Sequence, residues 1–206
     1  MALDADALPR AAVVAIDLDT RGRSERAARR IVREAFGSRA ALRAGILFKK
    51  IDSTLRGHVV AELAAARAAL GTRRQVIFAP AFPAQGRVVR NGRVYLDGVA
   101  LPRAVCKALE DSGIEIPDAG TDADLDVIAR RGLAMRPRPL FVGSAGLAHA
   151  LARTYPRFST RRVPAEARPI VTVVGSASPV SARQARRLSR SRPAQSDHLL
   201  LQIESS

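Results

Sequence analysis

Residues 47–63, LFKKIDSTLRGHVVAEL, set two lysines, an aspartate, two hydroxyls, an arginine and a glycine between an apolar strand-like run and an apolar helix-like run. Lys49, Lys50 and Arg56 can hold carboxylate or phosphate oxygens, the arginine through two parallel bonds. Asp52 can accept a hydroxyl proton or orient a metal-bound ligand, and Ser53 and Thr54 fall in the strand-to-helix turn. Gly57 lets backbone approach a ligand, and the helix that follows offers unpaired N–H groups and a partial positive charge. Together these groups suit a small, anionic, hydroxylated ligand. Side chains alternate across a strand, so Lys49 and Lys50 point to opposite faces and one of them is expected to enter a given pocket. The structural alternative has Ser53 and Thr54 capping the helix while Asp52 pairs with a lysine.

Three further clusters also follow apolar runs. Asp17, Asp19, Thr20 and Arg21 end the run AAVVAI at residues 11–16; two carboxylates two apart share a face of an extended segment and could bind hydroxyls, or could cap a strand end and pair with Arg21. APAFPAQGR, residues 79–87, is a proline-stiffened loop that presents Gln85 and Arg87, unless it is an ordinary turn. GSAGLA, residues 143–148, puts Ser144 and Gly146 at a strand-to-helix turn with the makings of an anion nest, and GSASP, residues 175–179, repeats the idea. For each Gly-Ser turn alone, close packing is the simpler explanation. Ser144 directly follows Gly143, so this is no GxSxG elbow. Neither a GxxxxGK[ST] loop nor a GxGxxG fingerprint occurs. His58 and Glu62, one helical turn apart, read as surface or packing residues, and no metal site is assigned.

The elements that must position these groups alternate. Strands are predicted at residues 11–16, 46–51, 75–79, 139–142 and 169–174, and helices at 24–36, 57–70, 102–111, 122–131, 145–155 and 180–190. Residues 86–100, GRVVRNGRVYLDGVA, alternate around Asn91-Gly92, a hairpin signal. The expected fold is α/β, a mostly parallel sheet flanked by helices (a Rossmann-like layered domain) with a β-hairpin insertion. In such sheets ligands bind outside the strand C-terminal ends, where all the clusters above fall. Residues 1–10 read as a polar lead, 11–190 as one layered domain, for which the resemblance described below implies substrate binding, and 191–206 as an irregular tail.

The 206 residues carry 34 basic against 19 acidic groups, a net charge of +15. That balance favours anionic partners. Nearly all the basic residues are arginine; the lysines are Lys49, Lys50 and Lys107, and two of these lie in the opening stretch. Cys106 stands alone, so no disulfide forms within the chain, and no apolar run approaches a membrane span. The expectation is a cytoplasmic protein without membrane contact. A nucleic-acid-binding module is the alternative that the charge suggests, though aromatic residues are 4% of the chain and no recognised motif is present.

KKIDSTLRG (residues 49–57), APAFPAQGR followed by NGRVYLDGVAL (79–101), FVGSAGLA (141–148) and VVGSASPVSARQ (173–184) together resemble the N-terminal domain of the four-carbon acid sugar kinases, with DLDTR (17–21) similar to that family's aspartate-rich strand end. The resemblance implies phosphorylation of tetronate or oxo-tetronate acids by ATP and Mg2+, with the nucleotide held mostly by a separate domain or chain. It implies an acid-sugar site built from Asp17, Arg21, Lys49, Lys50, Ser53, Thr54, Arg56, Gly57, Gln85, Arg87, Ser144 and Gly146, with Asp52 and Asp19 as candidate catalytic carboxylates. The ADDLTGA-like opening and the ATP domain of that family have no counterpart in these residues. The expectation is therefore a fragment, a substrate-binding half inactive alone, or a remnant without function. Self-association is left open.

Overall fold

The computed structural model of the protein describes residues 13–71, 74–154, 170–174, 183–184, 186–187 and 198–202. The chain divides into two compact units, Met1–Phe158 and Ser159–Ser206.

In the first unit the elements run α1 (Glu25–Gly37), α2 (Arg39–Arg43), β1 (Leu47–Lys50), α3 (Val59–Leu70), β2 (Val76–Ala79), β3 (Arg87–Arg90), β4 (Arg93–Leu96), β5 (Val99–Ala100), α4 (Ala104–Asp111), α5 (Asp122–Ala134), β6 (Leu140–Gly143) and α6 (Ala145–Thr154). The fold is α/β, as expected. A parallel sheet of order β1-β6-β2 is flanked by helices, with α1 packed on α3 and α5 on α6. A separate antiparallel sheet, β3-β4-β5, is the hairpin insertion.

Local chemistry explains most element ends. Ser24 accepts from Ala27 N and starts α1. Thr121 and Asp124 form a reciprocal capping box on α5. Asn91 (φ 50°) and Gly92 (φ 65°) take the left-handed conformations that a two-residue hairpin turn needs. β2 (VIFA) and β6 (LFVG) are buried along their whole length, as parallel strands covered on both faces should be. The second edge of β2 is also occupied: Phe78 N donates to Glu115 O at 3.0 Å. Ala119 in turn exchanges bonds of 2.9 and 3.1 Å with Val89, fastening the hairpin to the body of the unit.

The first expected strand does not form. Residues 13–20 lie outside any strand, and Val13, Val14 and Ile16 are 65%, 39% and 41% exposed. A short apolar run becomes a strand only with a ladder partner and a covered face, and among the described residues this one has no ladder partner. Leu18, just past this run, packs against the core. With no strand, the paired aspartates do not share an extended face. Asp19 is left-handed (φ 43°), and its N–H donates to Asp17 Oδ1 at 3.0 Å.

In the second unit, β7 (Ile170–Val174) pairs in parallel with β8 (His198–Gln202), a strand in a stretch read as irregular. Arg183, Gln184, Arg186 and Arg187 are helical, within the helix expected at 180–190. The polar lead, the connection at 155–169 and the GSASP turn lie outside the described residues.

Candidate functional site

β1 ends in a tight turn built by Asp52. Ile51 N closes the ladder onto Gly143 O at 2.9 Å, and Leu55 N then donates to Asp52 O at 3.0 Å. The carboxylate Oδ2 of Asp52 accepts from Thr54 N (3.1 Å), Thr54 Oγ1, Arg56 N (3.3 Å) and Arg56 Nε (3.2 Å). All four bonds end on one oxygen, which leaves Oδ1 without a protein donor among the described residues. The turn carries backbone strain: Leu55, a non-glycine residue, sits at φ 62° with its side chain buried, and Gly57 follows at φ 92°. A left-handed leucine is disfavoured and persists where its surroundings over-determine it; here they are the core contact and the Asp52 bonds.

Burial raises the Asp52 carboxyl, but hydrogen bonds from Thr54 and Arg56, together with the Arg56 charge, outweigh it and hold the group at about 2 against an ordinary 3.8. A depressed folded-state value means that the stabilisation is complete above the ordinary value and is lost as pH falls through the folded one. Asp52→Asn is expected to be destabilised by roughly 1–2 kcal/mol near neutral pH. Urea titrations of wild type and variant should show that gap constant down to about pH 4 and narrowing toward about pH 2; a gap that widens on acidification would contradict the bonding described.

Side-chain alternation separates the lysines. Lys50 is on the exposed side of β1, with Nζ donating to Ile51 O at 2.9 Å. Lys49 is turned inward, 7% exposed, with Nζ 2.5 Å from Glu62 Oε2 on α3. Glu62, read from the sequence as a surface or packing residue, is buried and holds this ion pair. The signal available was a glutamate within the otherwise apolar VVAEL run that opens α3. Lys49, expected among the ligand-binding groups, is paired with Glu62 in this structure.

The parallel register carries the other clusters to the same sheet edge. Lys50 and Ala79 both align with Gly143, so the segments after β1, β6 and β2 leave the sheet side by side. Ser144 is buried; its Oγ donates to Ala81 O at 2.9 Å and accepts from Gly146 N at 3.3 Å. A Cβ on Gly146 would overlap the Ala81 carbonyl oxygen. This turn is filled by neighbouring backbone, and close packing rather than an open anion nest accounts for its glycines. Gln85 lies in a 3-10 turn and accepts from Arg87 Nη1 at 2.5 Å, while Arg87 Nε is buried with no partner among the described residues. The aspartate segment also reaches this edge: His58 Nε2 bonds Arg23 O at 2.7 Å, and the Arg21 stem packs beside Gly57. Asp19 Oδ2 pairs with Arg23 at 3.0 Å on the surface. Ser53 is half-buried, with no hydrogen bond to another described side chain. The structure thus joins Asp52, Thr54 and Arg56 directly, joins Gln85 to Arg87 and Ser144 to Gly146, and brings Arg21 beside Gly57.

A parallel α/β sheet with this turn at its C-terminal edge belongs to a defined class. The family described as the sugar-binding N-terminal domain matches residues 1–104, and the chain belongs to it. Among curated proteins it is similar to the D-threonate kinase of Cupriavidus necator, 32% identical across 86% of this chain and 53% of that protein. It is also similar to the D-threonate kinase of Salmonella typhimurium, 29% identical across 68% of this chain and 42% of that one. These bear out the resemblance drawn from KKIDSTLRG and its companion motifs. The chain spans about half the length of the curated relatives it matches. Among solved structures, a domain from Bordetella bronchiseptica described as a domain-swapped dimer with bound citrate is 25% identical with a TM-score of 0.54, across 91% of this chain and 62% of that one. A Haemophilus influenzae protein shares the fold, with a TM-score of 0.61 at 17% identity, across 90% of this chain and 58% of that one. Among the described residues no helix is long and apolar enough to cross a membrane.

Proposed function

We propose that this chain is the acid-sugar-binding part of a four-carbon acid sugar kinase, with D-threonate as the first ligand to test. The observation that carries the reading is the Asp52 turn at the C-terminal sheet edge, where a carboxylate with one open oxygen is bonded by Arg56 and follows the exposed Lys50 at the end of β1. Cations there suit the sugar carboxylate and Asp52 Oδ1 suits a hydroxyl. Arg87, with a buried donor in want of an acceptor, and Arg21 beside Gly57 extend the same chemistry. Citrate, bound by the Bordetella relative, is likewise a hydroxylated polycarboxylate.

A carboxylate held at about 2 is a weak proton acceptor near neutral pH. Asp52 is read as the residue that orients the acceptor hydroxyl, with Asp19 as a second acceptor at the rim. In phosphoryl transfer, positioning and electrostatics carry most of the catalysis. ATP with Mg2+ supplies the phosphoryl group in such an enzyme. The closed packing of the turn at Ser144 and Gly146 does not fit a phosphate cradle, so the nucleotide is assigned to a domain or chain beyond these residues. A cytoplasmic location is part of the reading, and so is self-association, the latter by analogy with the Bordetella dimer.

Isothermal titration of D-threonate into the chain tests this. Binding is expected in the wild type, and a loss of about tenfold or more in Arg56→Ala and Asp52→Ala, both checked for folding by circular dichroism. Unchanged affinity in both folded variants would remove the site. Robust threonate-dependent ADP release by this chain alone would overturn the assignment of ATP to a part lying elsewhere.

A further inference from the structure

The hairpin carries a basic cleft that the acid-sugar reading does not use. Val89 and Val94 face each other across β3 and β4 and are buried at 1% exposure. Alternation puts Arg90, Arg93 and Tyr95 on the opposite face, where Arg90 stands directly across from Arg93. Arg103, just before α4, joins them, and with Asn91 these residues, all but Tyr95 exposed, line an open surface hollow of about 210 Å3.

The charges in this cleft are unevenly compensated. Glu110 engages Arg103 at 3.1 Å, and Asp118 spends its carboxylate on the hairpin turn, accepting from Asn91 N at 2.8 Å and Gly92 N at 3.3 Å. Arg90 and Arg93 have no ion pair or side-chain hydrogen bond among the described residues. Like charges directly opposite on a hairpin are destabilising, so the fold carries a cost that a bound anion would remove. The cleft shares no lining residue with the Asp52 turn. Arg87, with its Gln85 partner, begins β3 and Arg90 ends it, about 10 Å further along an extended strand.

We propose that this cleft is a second anion site, taking a phosphate or diphosphate group of a small molecule. A carboxylate is satisfied by one bidentate guanidinium; the two uncompensated guanidiniums of Arg90 and Arg93, with Arg103, Tyr95 and Asn91 lining the same hollow, match the larger oxygen set of a phosphate. The volume has room for a diphosphate. A polynucleotide would be served by a charged groove along its backbone with several stacking rings, whereas this is one concave pocket with one aromatic residue.

The probe is inorganic pyrophosphate, titrated calorimetrically into the full chain at about 0.1 M salt, where distant surface charges are screened. The wild type is expected to bind. Arg90→Ala with Arg93→Ala should weaken binding about tenfold or more, and Arg93→Lys should lose part of it because the planar fork is gone. Both arginines are exposed and face each other as like charges, so the double variant should melt no lower than the wild type. Arg56→Ala should bind pyrophosphate as the wild type does, and the hairpin double variant should bind D-threonate as the wild type does, which separates this site from the acid-sugar reading. No binding by the wild type, equal binding by the double variant, or an equal loss in Arg56→Ala would each overturn the proposal. So would a single-stranded oligonucleotide that binds more tightly than pyrophosphate and depends on the same two arginines.

Discussion

Glu62→Ala is expected to lower the stability of the folded chain by about 3–5 kcal/mol, the usual cost of stripping one partner from a buried ion pair. Lys49 and Glu62 are 7% and 9% exposed at the side chain and lie 2.5 Å apart, so the variant strands an ammonium between β1 and α3. The destabilisation comes chiefly from that uncompensated charge, because a buried pair by itself contributes little net stability. The double substitution Lys49→Met with Glu62→Leu removes both charges and keeps volume, and should recover most of the loss. Urea midpoints at an unchanged slope would measure both effects. A loss below about 1 kcal/mol in the single variant would mean that water reaches the pair. β1 leads directly into the Asp52 turn, so the single variant should also weaken D-threonate binding, and the double variant should restore much of it.

Gly146→Ala should cost about 1–3 kcal/mol or more, the range for overpacking a filled interior. Its Cβ would overlap the Ala81 carbonyl oxygen and press within 3.0 Å of Leu125 Cδ1 and 3.1 Å of Phe82 Cα. Two of these three obstacles are backbone, which cannot swing aside as a side-chain tip can. Relief would require moving residues 81–82, and with them the turn that carries Gln85 and Arg87. The same substitution at Gly22, where nothing lies within 4 Å, should change stability by no more than about 0.5 kcal/mol. Thermal melts of the two variants side by side make the comparison. Equal melting temperatures would show that the Ser144 turn has slack and reopen it as a ligand cradle.

Much of the architecture is written locally. Ser24, Asn91-Gly92 and the apolar runs at β1, β2 and β6 each carry their own signal: a cap, a turn conformation, a buried strand. Those signals depend on residues a few positions apart, so the chain displays them before it folds. The run at residues 11–16 carried an equally clear strand signal, yet its described residues 13–16 form no strand, because a strand also needs a ladder partner, which no local pattern supplies. β8 was missed for the complementary reason: its short run of three leucines is a weak local signal, and the strand is defined by its pairing with β7.

The candidate site divides along the same line. The residue types in KKIDSTLRG were sufficient by themselves to indicate an anionic, hydroxylated ligand and, through resemblance, the family. Only the tertiary structure decided what each group does. It turned Lys49 inward to Glu62 and left Lys50 outside; it tied four bonds onto one oxygen of Asp52 and left the other open; it filled the Ser144 turn with the backbone of residue 81. It also set Arg90 across from Arg93 and brought Arg103 to them. Residue chemistry is a property of the chain, but burial and partnership are set by contacts between segments distant in sequence, and these decide which groups remain available to a ligand.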